Sequence, residues 1–457
     1  MKPSHTIRPV FDDPNLVSSA GLVPALRLAE TAGLYDLLEE VTVPSPNAAV
    51  KAACVVAGML AGADCIDDMD LLRHGGMTKV FGGVRAPSTL GTFLRSFTHG
   101  HVQQLDKVNA RLVAGLAVRV PGLLAGADTG GIATVDVDDT VREVHGYAKQ
   151  GAAFGYTKQR GLNIQLATVS TPLAAPVIAG ARLRSGNTAS ATGAGRLLAQ
   201  GITTARAAGV RGRILARADS AYYGWAFVGT AIRHQAWFSV TARMTKTVTA
   251  AIASIPADAW QPIEYPDAIY DEAEQRWVSH AEVAEIPFTA FTSRRRGEHV
   301  TCRLIVRRVK RLQPFACDGT EQGELFATYR HHAFITNSTF STIEADERHR
   351  DHAIVEQVIA ELKDNALAHL PSGRYAANAA WVALAVIAFN LARATAVAAD
   401  MAKARWASLR TKIIAVPARI ATTARRLDLH LPRDWPWAPG WESLWTAATG
   451  PPTLATT

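Results

Sequence analysis

The sequence predicts an α/β protein: a helical N-terminal region, then a mixed sheet interrupted by a β-rich insertion, then helical C-terminal segments. Three observations predict this class. Helical periodicity dominates Ser19 to Leu116, short β-rich runs alternate with helix beyond Pro121, and helix returns after Ser341. Texture changes divide the chain into 1–125 (helical), 126–240 (first part of the α/β layer), 241–340 (β-rich insertion), 341–395 (second part) and 396–457 (helical tail).

In the first block, Leu90, Phe93, Leu94 and Phe97 follow the i, i+3, i+4, i+7 rule, with Ser88 as the expected cap. The turn at Gly82 and Gly83 before Val84 to Arg95 fits a helix-turn-helix, and a packed bundle fits equally. Past Pro121 the strand candidates are IATVDVD, TVREVHGY, NIQLATVS, GRILARAD and AWFSVTA, with a helix predicted over Ala189 to Ala208. The insertion carries HVTCRLIVRRV and HHAFITN. The apolar run Ala376 to Leu391, interrupted by Asn378 and Asn390, is shorter than the roughly 18 to 20 residues of a spanning segment and predicts a buried core helix.

Composition bounds the class. A chain of 457 residues with 48% hydrophobic and 19% charged residues builds a sizeable core and excludes extended disorder. The net charge of +8 favours a polyanionic partner. Cys54, Cys65, Cys302 and Cys317 form no C-x-x-C pair, which argues against a zinc site or a disulfide framework and for a reducing, cytoplasmic setting. The N-terminus has no apolar leader pattern.

Three segments carry acids in positions suited to chemistry. In Val135-Asp-Val-Asp-Asp-Thr140, strand alternation puts Asp136, Asp138 and Thr140 on one face and Asp139 on the other. Like charges this close raise one another's pKa unless a cation neutralises them, although a polar strand end entering a turn also fits the pattern. Asp219 in ILARADSAYYG again follows an apolar run, as a site acid or a helix cap. Ser220 beside it lacks the G-x-S-x-G elbow of a hydrolase.

From His349 to Lys363, Val355, Val358, Ile359 and Leu362 form a packing face, and His349, His352, Glu356 and Lys363 share another. An exposed, salt-bridged helix is the plain alternative, and no further ligand completes a zinc set with the two histidines. Two carboxylates from strands and one from a helix can hold two divalent ions, and their hard oxygens suit Mg²⁺ or Mn²⁺.

The segments DVDDT, ARADSAYYG and HRDHAIVEQVIAELK, with NLARA downstream, resemble the cut-and-paste DDE transposases of bacterial insertion sequences, from about Asp136 to Trp437. The resemblance implies an RNase H-like catalytic domain with Asp138, Asp219 and Glu356 as catalytic metal ligands for two Mg²⁺ (or Mn²⁺) ions. Asp138 is preferred because Thr140 completes the group's D-x-[ST] context, and Asp136 is the reserve. The group's helix signature is Tyr, two residues, Arg, three residues, Glu, six residues, Lys. Here Glu356 and Lys363 match, while His349 and His352 replace Tyr and Arg.

The same resemblance implies that His349, Arg350, His352, Lys363, Lys158 and Arg160 meet DNA. The implied partners are double-stranded DNA at terminal inverted repeats and at the target, gripped by a homodimer in the bacterial cytoplasm at the nucleoid, with no membrane. The helical N-terminal domain is expected to bind DNA ends. The insertion offers Trp237, Trp260 or Trp277 for base stacking, and Arg294 to Arg296 and Arg307 to Arg311 for phosphates. The alternatives are a catalytically inactive DNA-binding descendant and an RNase H-like nuclease without strand transfer.

Overall fold

The computed structural model describes residues 2–3, 5–128, 130–263, 270–271, 276–277, 281–310, 329–423 and 426–450. The N-terminal block folds into α1 (Leu22–Thr31), α2 (Leu34–Glu39), α3 (Ala48–Ala61), α4 (Pro87–Arg95) and α5 (His99–Arg119). α4 starts two residues earlier than a cap at Ser88 predicts, with Ala86 in the cap position. Pro87 occupies its first position, where the missing N–H costs nothing and the fixed φ suits a helix. Leu90, Phe93 and Leu94 are buried as the periodicity predicts.

The sheet begins with β1 (Ile132–Glu143), β2 (Arg160–Ser170) and β3 (Val177–Ser185). Helix α6 (Ala194–Ala207) leads to β4 (Arg213–Ala218), and α7 (Trp225–Arg233) to β5 (Trp237–Thr241). These five strands lie in the order β3-β2-β1-β4-β5, with β2 antiparallel to its neighbours and β4 and β5 parallel to β1. The runs IATVDVD and TVREVHGY, expected as separate strands, form one. β1 continues through the acids to Glu143, with Val137 and Val141 buried on one face on either side of Asp139.

The insertion contributes β6 (Gln261–Ile263), β7 (Ala281–Ala290), β8 (Val300–Lys310) and β9 (Tyr329–Thr336). Apart from a separate two-stranded ladder of Tyr270–Asp271 with Arg276–Trp277, its strands build no sheet of their own. β9 pairs antiparallel with β5, Thr336 opposite Ser239, and β8, β7 and β6 follow outward, so the insertion extends the same sheet. Its Trp277 side chain, Arg311 and Cys317 lie outside the described residues.

After the sheet come α8 (Thr342–Arg350), α9 (Ile354–Lys363) and α10 (Tyr375–Ala398). The apolar run predicted from Ala376 to Leu391 is longer in the fold. α10 has 24 residues, enough in length and apolarity to cross a bilayer, but here 94% of its most apolar window is buried inside the protein. The tail expected as helix is partly strand. Ala418–Thr423 and Arg426–His430 form a hairpin against Leu16–Val17 before α11 (Ala438–Thr449). Ile420, Leu427 and Leu429 alternate with polar residues there, a period-2 pattern that the Ala and Arg content of the tail obscures.

The two faces of β1 meet different helices. Val135 faces α6, whose Gly201 lies so close that an added Cβ would sit 2.9 Å from Val135 Cγ1. Asp136, Asp138, Thr140 and Arg142 take the opposite face, where Thr140 and Arg142 share a small cavity with Ile359, Leu362 and Lys363 of α9.

Candidate active site

Parallel pairing of β1 with β4 brings the first two acids together. Asp136 is in register with Arg217, so Asp138 and Asp219, each two residues further along, occupy matching positions on the same face. β4 ends at Ala218, and Asp219 caps the following turn, its Oδ1 accepting the Ala221 N–H at 2.9 Å.

The two candidates for the first acid have different surroundings. Asp136 is fully buried and its carboxylate is consumed. Arg217 donates to Oδ1 and Oδ2 at 2.8 and 3.0 Å, and His352 Nδ1 lies 2.7 Å from Oδ1. Burial pushes the Asp136 pKa up, but the Arg217 charge and the His352 hydrogen bond outweigh it and hold it below the usual value. Asp138 is half-buried and only Oδ1 is engaged, by the Asp139 N–H at 2.7 Å. Burial, reinforced by the charges of Asp219 and Asp139, pushes its pKa up to about 6. Asp219 is raised for the same first reason, burial, with Asp139 adding to it.

Asp139 points to the other face, as alternation predicts, and is structural. Arg184 donates to it at 2.6 Å and the Tyr222 hydroxyl at 3.2 Å, while Asn163 completes a buried network. This network fixes β1 against β2 and against the turn after Asp219.

The third acid arrives on α9. His352 stands over Asp136 and Lys363 beside Thr140 and Arg142, so α9 runs along β1 in the same direction. Glu356 lies between them, four residues after His352, exposed and without an ion-pair partner among the described residues. The three carboxylates do not close into a tight cluster. Among the described residues, the group with all ligand atoms within 4.8 Å of one another is Asp64, Cys65 and Asp68. There Asp68 Oδ2 accepts the N–H groups of Asp64 and Cys65, a local turn that accounts for the proximity.

Arg217, which the sequence reading overlooked, joins all three acid-bearing elements. Besides Asp136 it donates to the carbonyl oxygens of Arg348 and, at 3.2 Å, Asp351, at the junction of α8 and α9. The signal was available: an Arg between alanines on a core strand, two residues before Asp219, must find buried acceptors.

The expected DNA-contacting residues divide. The His349 ring nitrogens are taken by Ser239 and Thr241 hydroxyls at 2.8 and 3.0 Å, and its ring stacks on Phe334 at 4.1 Å. Burial pushes its pKa down to about 3, so His349 packs α8 on the sheet in place of the phosphate contact expected. His352 is bound to Asp136. Burial opposes its protonation, but the hydrogen bond and charge of Asp136 raise its pKa above the ordinary value.

Arg350 pairs with Asp346 at 2.9 Å and has further interactions within the protein. Arg160 donates to the carbonyls of Gly146 and Tyr147 at 2.8 and 3.1 Å. Lys363 is half-buried, and burial and then Arg142 lower its pKa. Lys158 is exposed. Of the tryptophans, Trp260 is stacked by Arg308 at 4.1 Å and Trp237 by Arg213 at 4.9 Å. Trp237 starts β5, at the end of the sheet away from Asp219.

A mixed sheet with carboxylates at matched positions of adjacent parallel strands, and a third on a helix lying along the first strand, is compatible with a DDE-type domain. The chain matches the family model described as "Transposase DDE domain group 1" over residues 2–447, nearly its whole length, and belongs to that family. No curated protein matches it. Membership implies a nuclease and transferase enzyme with a DNA substrate, in a family that generally uses divalent metal ions.

The acids suit such ions. Asp138 and Asp219 offer hard oxygens, and burial first, with the charges of Asp219 and Asp139 adding to it, disfavours the ionised form of Asp138, a cost that a bound divalent cation relieves.

Proposed function

We propose that the chain is a metal-dependent transposase of an insertion sequence that cleaves DNA at terminal inverted repeats and joins the freed 3′ end to target DNA. The matched placement of Asp138 on β1 and Asp219 just past the end of β4 supports this most directly. Asp138, Asp219 and Glu356 would hold two Mg²⁺ or Mn²⁺ ions. When bound, such ions polarise the phosphodiester and activate the attacking oxygen. Asp136 is not assigned to the metal, since Arg217 and His352 already use its oxygens.

The remaining roles follow from placement. Arg217 and Asp136 hold β1, β4 and the start of α9 in one arrangement. His352, cationic over a wider pH range than an isolated histidine, balances charge beside Asp138. Lys158 offers a phosphate contact from the loop before β2, and Lys363 and Arg350 border the acids along α8 and α9. DNA is held by two copies of the chain.

The test is cleavage and joining of a labelled duplex carrying the element's end, with Mg²⁺ present. Wild type is expected to nick and join it, and Asp138→Ala, Asp219→Ala and Glu356→Ala to lose at least about 10³-fold in rate while still binding. Binding without any cutting by wild type overturns the catalytic assignment. Cutting without joining replaces it with a nuclease.

A further inference from the structure

Residues 5–12 form an arm that is exposed throughout. It carries Ile7 (73% exposed), Val10 (60%) and Phe11 (104%), three large apolar side chains that the fold leaves in solvent close together in sequence. Pro9 and Pro14 bias Arg8 and Asp13 toward extended backbone. Alternation along an extended segment puts Ile7, Pro9 and Phe11 on one side. The root of the arm is fixed. Arg419 Nε donates to Asp13 Oδ2 at 3.1 Å, the Asn15 N–H donates to Asp13 Oδ1 at 2.9 Å, and Lys79 Nζ donates to Asn15 Oδ1 at 2.7 Å.

Beside that root lies an apolar cleft of about 300 Å³ between α1, α3 and residues 80–84. Leu22 and Leu26 of α1, Ala53 and Ala57 of α3, and Val80 and Phe81 line it. Val80 directly follows Lys79, so the mouth of the cleft and the root of the arm share one turn. Gly83, at φ +77, closes one wall, since an added Cβ would lie 2.6 Å from Val50 Cγ1. On α1 the cleft is rimmed by Arg27 and Glu30, paired at 2.6 Å with both side chains more than half exposed. On the arm, Arg8 and Asp12 flank the apolar residues and have no ion-pair partner among the described residues. Arm and cleft therefore match in kind, each apolar and each bordered by one charge of either sign.

Phe11 sits too near its anchor to turn back into the cleft of its own chain. Only Asp12 separates it from the pinned Asp13, and a tight reversal takes four residues. A second copy meets no such limit. We propose that two copies of the chain exchange these arms, Ile7 and Phe11 of each entering the cleft between α1 and α3 of the other. Reciprocal exchange buries both arms at once and closes a two-fold dimer without any new element. The proposal rests on the two-copy part of the reading above and names the surface through which the copies hold each other.

The test is the mass of the full-length chain in solution at micromolar concentration, without DNA, by sedimentation equilibrium. Wild type is expected at twice the single-chain mass. The double variant Ile7→Ser/Phe11→Ser should sediment as one chain with an unchanged near-ultraviolet circular dichroism spectrum, because both side chains lie in solvent in the single chain. Oxidation of the variant Val10→Cys/Val50→Cys, which keeps Ile7 and Phe11, should give a covalent dimer on a non-reducing gel. Either substitution alone should give far less.

A wild type that sediments as one chain overturns the exchange. So does a dimer whose mass the Ser variant leaves unchanged, which would place the contact elsewhere. An internally bridged single chain in place of the covalent dimer also overturns it, in favour of an arm folded onto its own cleft. Failure of wild type to cut end duplexes, with arm-dependent dimers intact, removes the transposase reading and leaves the exchange.

Discussion

Arg217 is the side chain whose loss should be felt most widely. It is buried, it satisfies both oxygens of Asp136, and it ties two carbonyls at the α8–α9 junction. Arg217→Met leaves the Asp136 charge with His352 alone and should cost about 3 to 5 kcal/mol, measured as a lowered urea midpoint. His349 offers a pH test. Its folded pKa of about 3 lies below the ordinary 6.5, so between those values the unfolded chain binds a proton that the native chain refuses. Its contribution is therefore intact above about pH 6.5 and declines as pH falls toward 3. The urea midpoint should drop from pH 7 to pH 4, less steeply in His349→Gln; equal slopes would show that His349 is not the source. Strand alternation in the sequence was enough to separate Asp136 and Asp138 from Asp139. It could not choose between Asp136 and Asp138, which share a face, because the choice depends on Arg217 and His352, 81 and 216 residues away.

β3 shows why some elements were hidden. Pro, Ala and Gly fill Pro176-Val-Ile-Ala-Gly-Ala-Arg, where β-branched residues are sparse, so its strand character comes from its neighbours more than from propensity. One neighbour is α10. Asn390 Oδ1 accepts the Ile178 N–H at 2.8 Å, and its Nδ2 donates to Ile178 O at 2.8 Å and to Asn109 Oδ1 at 2.7 Å. The residue that looked like an interruption of an apolar run is a clamp on the sheet edge, beside the irregularity in β3 pairing opposite Ala167 and Thr168. Asn390→Leu strands buried polar groups and should destabilise by about 1 to 3 kcal/mol for each group left unsatisfied. Asn390→Asp should be worse still, since a carboxylate cannot donate to Ile178 O or Asn109. Chemical denaturation of the two variants ranks them, and an Asn390→Leu protein as stable as wild type would remove the clamp.

The pairing of β9 with β5 makes the insertion continuous with the sheet that carries the acids. The sequence marked its strands but not their attachment, since antiparallel pairing across nearly a hundred residues leaves no local trace. Replacing residues 243–340 with a short linker should therefore uncover the β5 edge and strip His349 of Phe334. The deleted chain is expected to aggregate or remain partly unfolded by size exclusion and near-ultraviolet circular dichroism. A soluble, monomeric, cooperatively melting product would show that the insertion is dispensable to the sheet.

The long apolar helix α10 also bears on how the chain can be made. While it is being synthesised it is a 24-residue stretch that a membrane could accept. It follows α3, α5 and β3 in the chain, and these are among the surfaces it packs against in the finished fold. By the time Tyr375 to Ala398 leaves the ribosome, its docking groove already exists in the synthesised portion. Synthesis from the N-terminus thus shortens the interval in which the most insoluble segment is uncovered. A circular permutant that begins near Ser372 would reverse that order, and its yield of soluble protein would measure how much the order matters.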